Sequence, residues 1–468
     1  MSKLLKDLKE AIRLSGLKDG MTISFHHHLR NGDRTAVMVL EAARELGIKD
    51  LNVNISSVFD THASFIDMIK EGVITGIETD YMGGAVGKAI SSGIMEKPVI
   101  FRTHGGRPGD IIRGASHIDV AFVAAPTSDA EGNCTGKMGK SACGSLGYAF
   151  ADAMYADKTV VITDNLIEGI LDKPSISGEY VDYVVAVEKI GEPSGIVSGT
   201  TKITKDPVGL VIADYAAKAI EASGLLKDGF SFQTGAGGAS LAAAKYLKDI
   251  MMEKNIKGSF GLGGITSYMV DMLECGCFEK LYDVQCFDLG AVESIRTNPN
   301  HIEITAEKYA SPWLEENMVN DLDVVILGAT EIDTNFNVNV HTDSNGCIMG
   351  GSGGHSDTAA GAKIAMIVAP LSRARISIVT DEVLCKSTPG STVDVLVTQC
   401  GIAVNPLRPE LSERFKEAGL PVVDIHDLAE KAKRLNGVPL KPQRGDKVVA
   451  EVLYRDGTLL DRIYNVID

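Results

Sequence analysis

"IDVAFVAAPTSDAEGN", residues 118–133, and "LDVVILGATEIDTNFN", residues 322–337, decide the architecture of this chain. Asp119, Asp129 and Asn133 of the first stretch find the same residue types at one fixed offset in the second, at Asp323, Asp333 and Asn337. Five other matches keep the same order. SGLKDGMTISF (from 15) pairs with SGLLKDGFSFQ (from 223), FIDMIKEG (65) with MVDMLECG (269), and YMGGAVGKAI (81) with FDLGAVESI (287). VVITD (160) pairs with ISIVTD (376), and YVDYVVAV (180) with TVDVLVTQ (392). Self-similarity over such a span is the mark of a folding unit present twice.

The repeat also places the boundary. The first unit opens on LLKDLKEAIRL, and its counterpart is PVGLVIADYAAKAIEA, so the units are 1–205 and 206–468. Between them GEPSGIVSGTTKITKD, 191–206, is rich in Gly, Ser and Thr and suits a crossing loop. Within a unit, β-branched runs (MTISF, LNVNIS, PVIFR, VAFVA, TVVIT, VDYVVAV) alternate with helical patterns (RTAVMVLEAARELG, HASFIDMIKEG). That alternation predicts α/β layers around parallel sheets buried on both faces. Ligands of such sheets bind beyond the carboxyl ends of the strands. Two units side by side should therefore share a cleft lined by those ends.

Composition excludes several classes of function. A net charge of −16 argues against a nucleic-acid surface, which needs clustered Lys and Arg. No apolar run is long enough for a membrane span, and the charged, amphipathic N-terminus is unlike a secretory signal. The eight Cys form no CxxC pair, and they read as reduced and mostly buried, in a cytoplasmic protein. Glycine is over-represented at 49 residues of 468, and its clusters follow strands, where backbone can approach a ligand.

Four loops carry candidate chemistry. TISFHHHLRNGD places His26, His27, His28 and Arg30 at a strand end. Adjacent residues of a strand point to opposite sides, so three consecutive imidazoles make a poor metal cage, and no metal is expected. Beside Arg30 they suit a polycarboxylate instead. FRTHGGRPGD adds Arg102 and His104, with guanidinium geometry fitted to carboxylates. In FSFQTGAGGASLAAAKYL a strand runs through Gly235, Gly237 and Gly238 into a helix whose first N–H groups can receive an anion or a pantetheine arm. IMGGSGGHSDTAAGAK carries Gly351, Gly353 and Gly354, whose amides can face a developing oxyanion.

SFHHHLRNGD, SGTTKITKDPVGL, SFGLGGIT, DLGAVESIRTNPNHIEITAEKYASP and GGSGGHSD together resemble the citrate lyase alpha subunit family, over essentially the whole chain. The resemblance implies the CoA-transferase fold, two homologous α/β domains. It also implies a citrate CoA-transferase activity: acetyl on the thioester of an acyl-carrier protein is exchanged for citrate, giving citryl carrier and acetate. The implied partners are the carrier (gamma) subunit, which bears a CoA-like phosphopantetheine group, and a lyase (beta) subunit, with free acetyl-CoA as an alternative donor to the carrier. Related CoA-transferases use a Glu nucleophile. The comparable stretch here, DVQCFDLGAV, has Val284 and Gln285 and no Glu. Gln cannot form an acyl anhydride, so the family's direct attack by a citrate carboxylate is expected. Glu331, in ATEIDTNFNVN, resembles another stretch of those relatives and is a second candidate at the catalytic site. Two alternatives stay open at this point: transfer or hydrolysis for another short acid, citramalate included, through an enzyme carboxylate, and a non-catalytic scaffold that only docks a carrier.

Overall fold

The computed structural model describes residues 2–197, 202–440 and 442–467. Residues 198–201 of the predicted crossing loop lie outside them. Two large sheets dominate, one of ten strands and one of nine. Seven consecutive strands of the first run, in spatial order, Tyr183–Ala186, Lys158–Thr163, Val120–Ala124, Thr22–Phe25, Leu51–Ile55, Ile74–Thr79 and Val99–Phe101. The second sheet repeats that order with Val395–Thr398, Ile364–Val368, Val324–Leu327, Ser231–Thr234, Gly258–Ile265, Phe278–Cys286 and His301–Glu303. All pairings within these two sets are parallel. Val120–Ala124 and Ile364–Val368 are buried at every position. That explains their unbroken apolar reading, since helices cover both faces of a parallel sheet.

The residues that repeat in sequence repeat in structure, because they are turn and strand-end chemistry. Asp119 Oδ2 accepts the Thr22 N–H at 2.7 Å, and Asp323 Oδ2 accepts the Ser231 N–H at 2.9 Å. Asp129 Oδ1 accepts the N–H groups of Glu131 and Asn133, and Asp333 Oδ1 those of Asn335 and Asn337. Asn133 Oδ1 then takes the Gly178 N–H and Asn337 Oδ1 the Gly390 N–H. Such Asx turns fix a backbone path with one short side chain.

Two expectations need correction. VVITD is matched spatially by the strand Ile364–Val368, not by ISIVTD; Val379–Thr380 lies instead in a small three-stranded sheet with Glu331–Asp333 and Val338–Asn339. The unit expected over 206–468 also loses its end. The hairpin Arg444–Leu453/Leu459–Val466 returns to the first sheet and adds parallel to Val99–Phe101, with Ala450 opposite Val99. A parallel edge with free N–H and C=O groups is covered by that return. Among the described residues no helix is long and apolar enough to cross a membrane.

Candidate active site

The two halves meet through reciprocal loops at the carboxyl ends of their strands. In the first half, the loop before helix Ala149–Tyr155 crosses over. Ser145 Oγ donates to the Asp283 carbonyl at 3.0 Å, and the Leu146 N–H donates to Glu303 Oε1 at 2.6 Å. A Cβ at Gly147 would lie 2.5 Å from the Val284 carbonyl oxygen. In the second half, the loop before helix His355–Gly361 crosses the other way. The Gly353 N–H donates to the Asp80 carbonyl at 3.1 Å, and the His104 N–H to the Gly353 carbonyl at 2.8 Å. Gly351 lies so close to Asp80 and Tyr81 that an added Cβ would clash with the Asp80 oxygen and sit 2.7 Å from the Tyr81 Cα. Gly354 would meet the Tyr309 hydroxyl at 2.5 Å.

At the end of Thr22–Phe25 the three histidines turn inward and are all buried. His27 is held from both halves. Its Nε2 lies 2.9 Å from Gln285 Oε1, its Nδ1 lies 2.6 Å from Ser56 Oγ, and its carbonyl accepts from Gln285 Nε2 at 3.2 Å. The carbonyl can only accept, which fixes the amide orientation; Nε2 then carries the proton and Nδ1 accepts from the serine. His28 Nδ1 and His26 Nδ1 are 2.8 Å apart, and His28 Nε2 is 3.3 Å from the Val284 carbonyl. A direct N–N bond needs one bare nitrogen, so this pair cannot be doubly charged. Burial pushes His26 down to about 4, and pushes His27 and His28 well below the usual imidazole range, helped by the neighbouring imidazoles.

The expected imidazole grip on a polycarboxylate therefore does not match the geometry. Burial disfavours their charged forms, and His27 and His28 tie the seam together. Arg102 is likewise taken: its Nε is 3.0 Å from Glu78, and its Nη1 pairs with Asp110. Glu331 is buried, accepts from Asn339 Nδ2 at 2.9 Å and from the Leu384 N–H at 3.0 Å, and belongs to the small sheet. Burial raises its carboxyl above the ordinary range. Nothing in those contacts joins it to His27 or Gln285.

Arg30 and His104 remain at the seam. Arg30 adopts φ +50°, a left-handed backbone uncommon for a non-glycine residue. Its guanidinium lies 5.5 Å from the Phe59 ring centroid and 5.0 Å from that of Phe287, one ring from each half. Among the described residues no carboxylate lies within ion-pair distance of it, and burial lowers its pKa. His104 Nδ1 contacts Asp80 Oδ2 at 3.0 Å, leaving Nε2 toward Gly353, whose added Cβ would be 3.2 Å away. The His104 ring packs on His27 (5.6 Å between centroids) and Tyr148 (4.5 Å).

The sequence reading thus brings His27, Arg30, His104, Gly351, Gly353 and Gly354 to one place. The Gly353 N–H, expected to face an oxyanion, is already donated to Asp80; these glycines serve close approach. Gly235 and Gly237 differ: their added Cβ atoms would meet nothing nearer than 3.6 Å and 3.7 Å, so packing alone does not require glycine there. A Cβ added at Gly238 would lie 3.0 Å from the Lys202 carbonyl oxygen. No contact joins Gly235, Gly237 or Gly238 directly to residues 26–30; they stand at the end of Ser231–Thr234 on the same side of the second sheet. Sequence reasoning missed Asp80, Tyr148, Tyr309 and Asp357. Asp357 accepts from Thr103 Oγ1 at 2.8 Å and from the Gly105 N–H at 2.9 Å, and burial pushes its carboxyl up to about 6. The only cluster of metal-ligand type among the described residues, His117, Asp119 and Asp157, lies at the opposite, amino end of the strands.

The family model for the alpha subunit of citrate lyase matches residues 1–466. The chain is 48% identical to the citrate lyase alpha chains of Escherichia coli (99% of this chain, 91% of that one) and Haemophilus influenzae (100% and 93%). A solved structure described as an alpha subunit of citrate lyase from Streptococcus mutans, in complex with citrate, is 50% identical and superposes with a TM-score of 0.98 over 100% of this chain and 92% of that one. The alpha subunit of a malonate decarboxylase from Acinetobacter baumannii shares the fold at 14% identity, with a TM-score of 0.69 over 94% and 93% of the two chains. With the duplicated α/β architecture and the reciprocal seam in place, this chain belongs to the citrate lyase alpha subunit family, and it is a transferase of that family.

Proposed function

We propose that the seam is the transfer site of a citrate CoA-transferase, where the acetyl group on an acyl-carrier thioester is exchanged for citryl. Arg30 carries this reading: it is a cation at the mouth of the seam, between aromatic rings of both halves, with no carboxylate partner of its own. A guanidinium so placed can take a substrate carboxylate in a bidentate pair. The Streptococcus mutans relative, solved with citrate, supports the choice of acid.

Gln285 lies in the stretch that resembles the one carrying a nucleophilic Glu in related transferases, and both of its amide atoms are bonded to His27. The enzyme's task is then to position the reactants rather than to form a covalent adduct. With one citrate carboxylate on Arg30, another attacks the thioester carbonyl carbon and the thiolate leaves. The resulting acetyl–citryl anhydride is attacked by that thiolate at the citryl carbonyl, and acetate departs. His104, oriented by Asp80, and the Tyr81 hydroxyl flank this space. Gly235 and Gly237 leave room for the pantetheine arm. The carrier (gamma) and lyase (beta) subunits are the proposed partners, in the cytoplasm, where the free thiols of this chain would persist.

Arg30→Ala is expected to raise the citrate KM by about tenfold or more, as loss of a charge-assisted pair should. Hydroxylamine added after acetyl-CoA, without citrate, should trap no acyl-enzyme. An unchanged citrate KM, or an enzyme-linked hydroxamate at Glu331, would overturn the proposal in favour of an enzyme carboxylate. The scaffold reading predicts no transfer by the intact chain.

A further inference from the structure

Beside the helix Gly238–Glu253 lies a groove of about 600 Å³ lined by Lys202, Lys205, Lys245 and Lys248, with Tyr268 and Asp271 on its far wall. In a chain of net charge −16, four ammonium groups in one groove are a local reversal of sign. Lys248 is paired with Asp271. Among the described residues no carboxylate lies within ion-pair distance of Lys202, Lys205 or Lys245, leaving Asp249 as the other acid of the groove. Lys202, Lys205 and Lys245 are exposed and Lys248 is half-buried, so the charge faces outward into the groove.

The groove is tied to the seam by a short path. Arg30 lies over Phe287, and Phe287 packs against Gly264, where an added Cβ would clash with its ring. Gly264 is the penultimate residue of the strand Gly258–Ile265, and Tyr268 follows four residues later in the helix Ser267–Glu274. Four residues span at most about 14 Å of extended chain. On its other side the groove is walled by the helix Gly238–Glu253, which Gly237 precedes as its N-cap residue.

From this placement we infer that the lysine groove is a subsite for the diphosphate tail of the thioester donor, holding the donor's far end while its acyl end lies at Arg30. The inference rests on the transferase reading. The same diphosphate chemistry is offered by free CoA esters and by a CoA-like group tethered to a carrier.

The test is the triple variant Lys202→Glu, Lys205→Glu, Lys245→Glu in the full chain, with circular dichroism to verify folding and Lys→Gln replacements as a milder second set. Three donors are compared: acetyl-CoA, the acetylated carrier, and S-acetylpantetheine, which has the same thioester arm but no diphosphate. The expected result is a KM about tenfold higher for acetyl-CoA, with the S-acetylpantetheine and citrate constants unchanged. ADP binding, displaced by pyrophosphate, should weaken in parallel and fall steeply with added salt. A matching rise with the acetylated carrier assigns the groove to the tethered group as well. Equal KM changes for acetyl-CoA and S-acetylpantetheine, or none for either, would overturn the inference. So would a rise with the acetylated carrier alone, which would mark a protein-docking surface. If no donor supports transfer, the transferase reading fails, and ADP binding by wild type and variant still decides whether the groove holds diphosphates.

Discussion

Gln285→Met is the sharpest probe of the seam. Methionine nearly conserves the volume, so the packing cost is small, but it removes the acceptor for His27 Nε2 and the donor for the His27 carbonyl. Gln285 is 1% exposed and His27 4%, so little water can replace either partner. Leaving a buried polar group unpaired costs about 1–3 kcal/mol. Two such groups give about 2–6 kcal/mol, all of it across the junction of the halves. With an urea slope of about 3 kcal/mol/M, the unfolding midpoint should fall by about 1 M. The measurement is urea titration followed by far-UV circular dichroism, with wild type and variant at one pH. A drop equivalent to less than about 0.5 kcal/mol would refute the claim that His27 depends on Gln285.

Three further outcomes follow from the same contacts. Gly351→Ala should cost about 1–3 kcal/mol and lower transfer activity, because the clash is with Asp80 and Tyr81 backbone that holds His104; thermal melting and kcat check it. Arg107→Met should destabilise by about 3–5 kcal/mol by stranding buried Asp152, and Arg107→Met/Asp152→Leu should recover most of that in denaturant titration. Stability should also fall as pH drops from 6.5 toward 4.5. His26 (about 4), His341 (about 3) and His355 (about 4) are depressed by burial, so the unfolded chain takes up their protons first and their contribution, full above 6.5, is lost on acidification. Asp357, raised to about 6, acts with the opposite sign. The raised carboxyls of Asp152, Glu331 and Asp394 act with it, while the depressed His27 and His28 add to the loss; the five imidazoles prevail, leaving a net loss on the order of a few kcal/mol, and a flat urea midpoint over that range would contradict it.

The duplicated architecture was legible because its markers are local. An Asp that accepts a neighbouring strand's first N–H, or an Asx turn closed by Asn133 or Asn337, must keep its residue type wherever the fold is repeated. The match of VVITD to ISIVTD failed because apolar β-branched runs carry no such marker and any buried strand supplies one. Residue types at the site were also legible, but their partners were not. HHHLR reads as a cluster of cations, and only the fold shows that burial strips the imidazoles of charge while Arg30 keeps its own. Arg102 looked free for the same reason: Glu78 and Asp110 reach it from a separate strand and a helix. Gly351, Gly353 and Gly354 stood out as glycines, but as amides for an oxyanion; what approaches them is the Asp80 and Tyr81 backbone, the His104 ring and the Tyr309 hydroxyl. Asp80 and Tyr148 carried no signal, and Asp357, though it closes the GGSGGHSD motif, was given no role, since each acts through a contact distant in sequence.

The return of the last strands to the first sheet has a consequence for biosynthesis. Val99–Phe101 is made early, but the segment that covers its outer side, Arg444–Leu453, follows only after every strand of the second sheet has been made. Through that interval the nascent first half presents an open, apolar parallel edge. Arg455, at the turn of the late hairpin, then bonds the Ala310 carbonyl at 3.0 Å and approaches Asp357 at 3.6 Å. The two halves are thus locked only once that hairpin has been made, and a product stalled or truncated before it would present a sticky border for neighbouring chains to pair with.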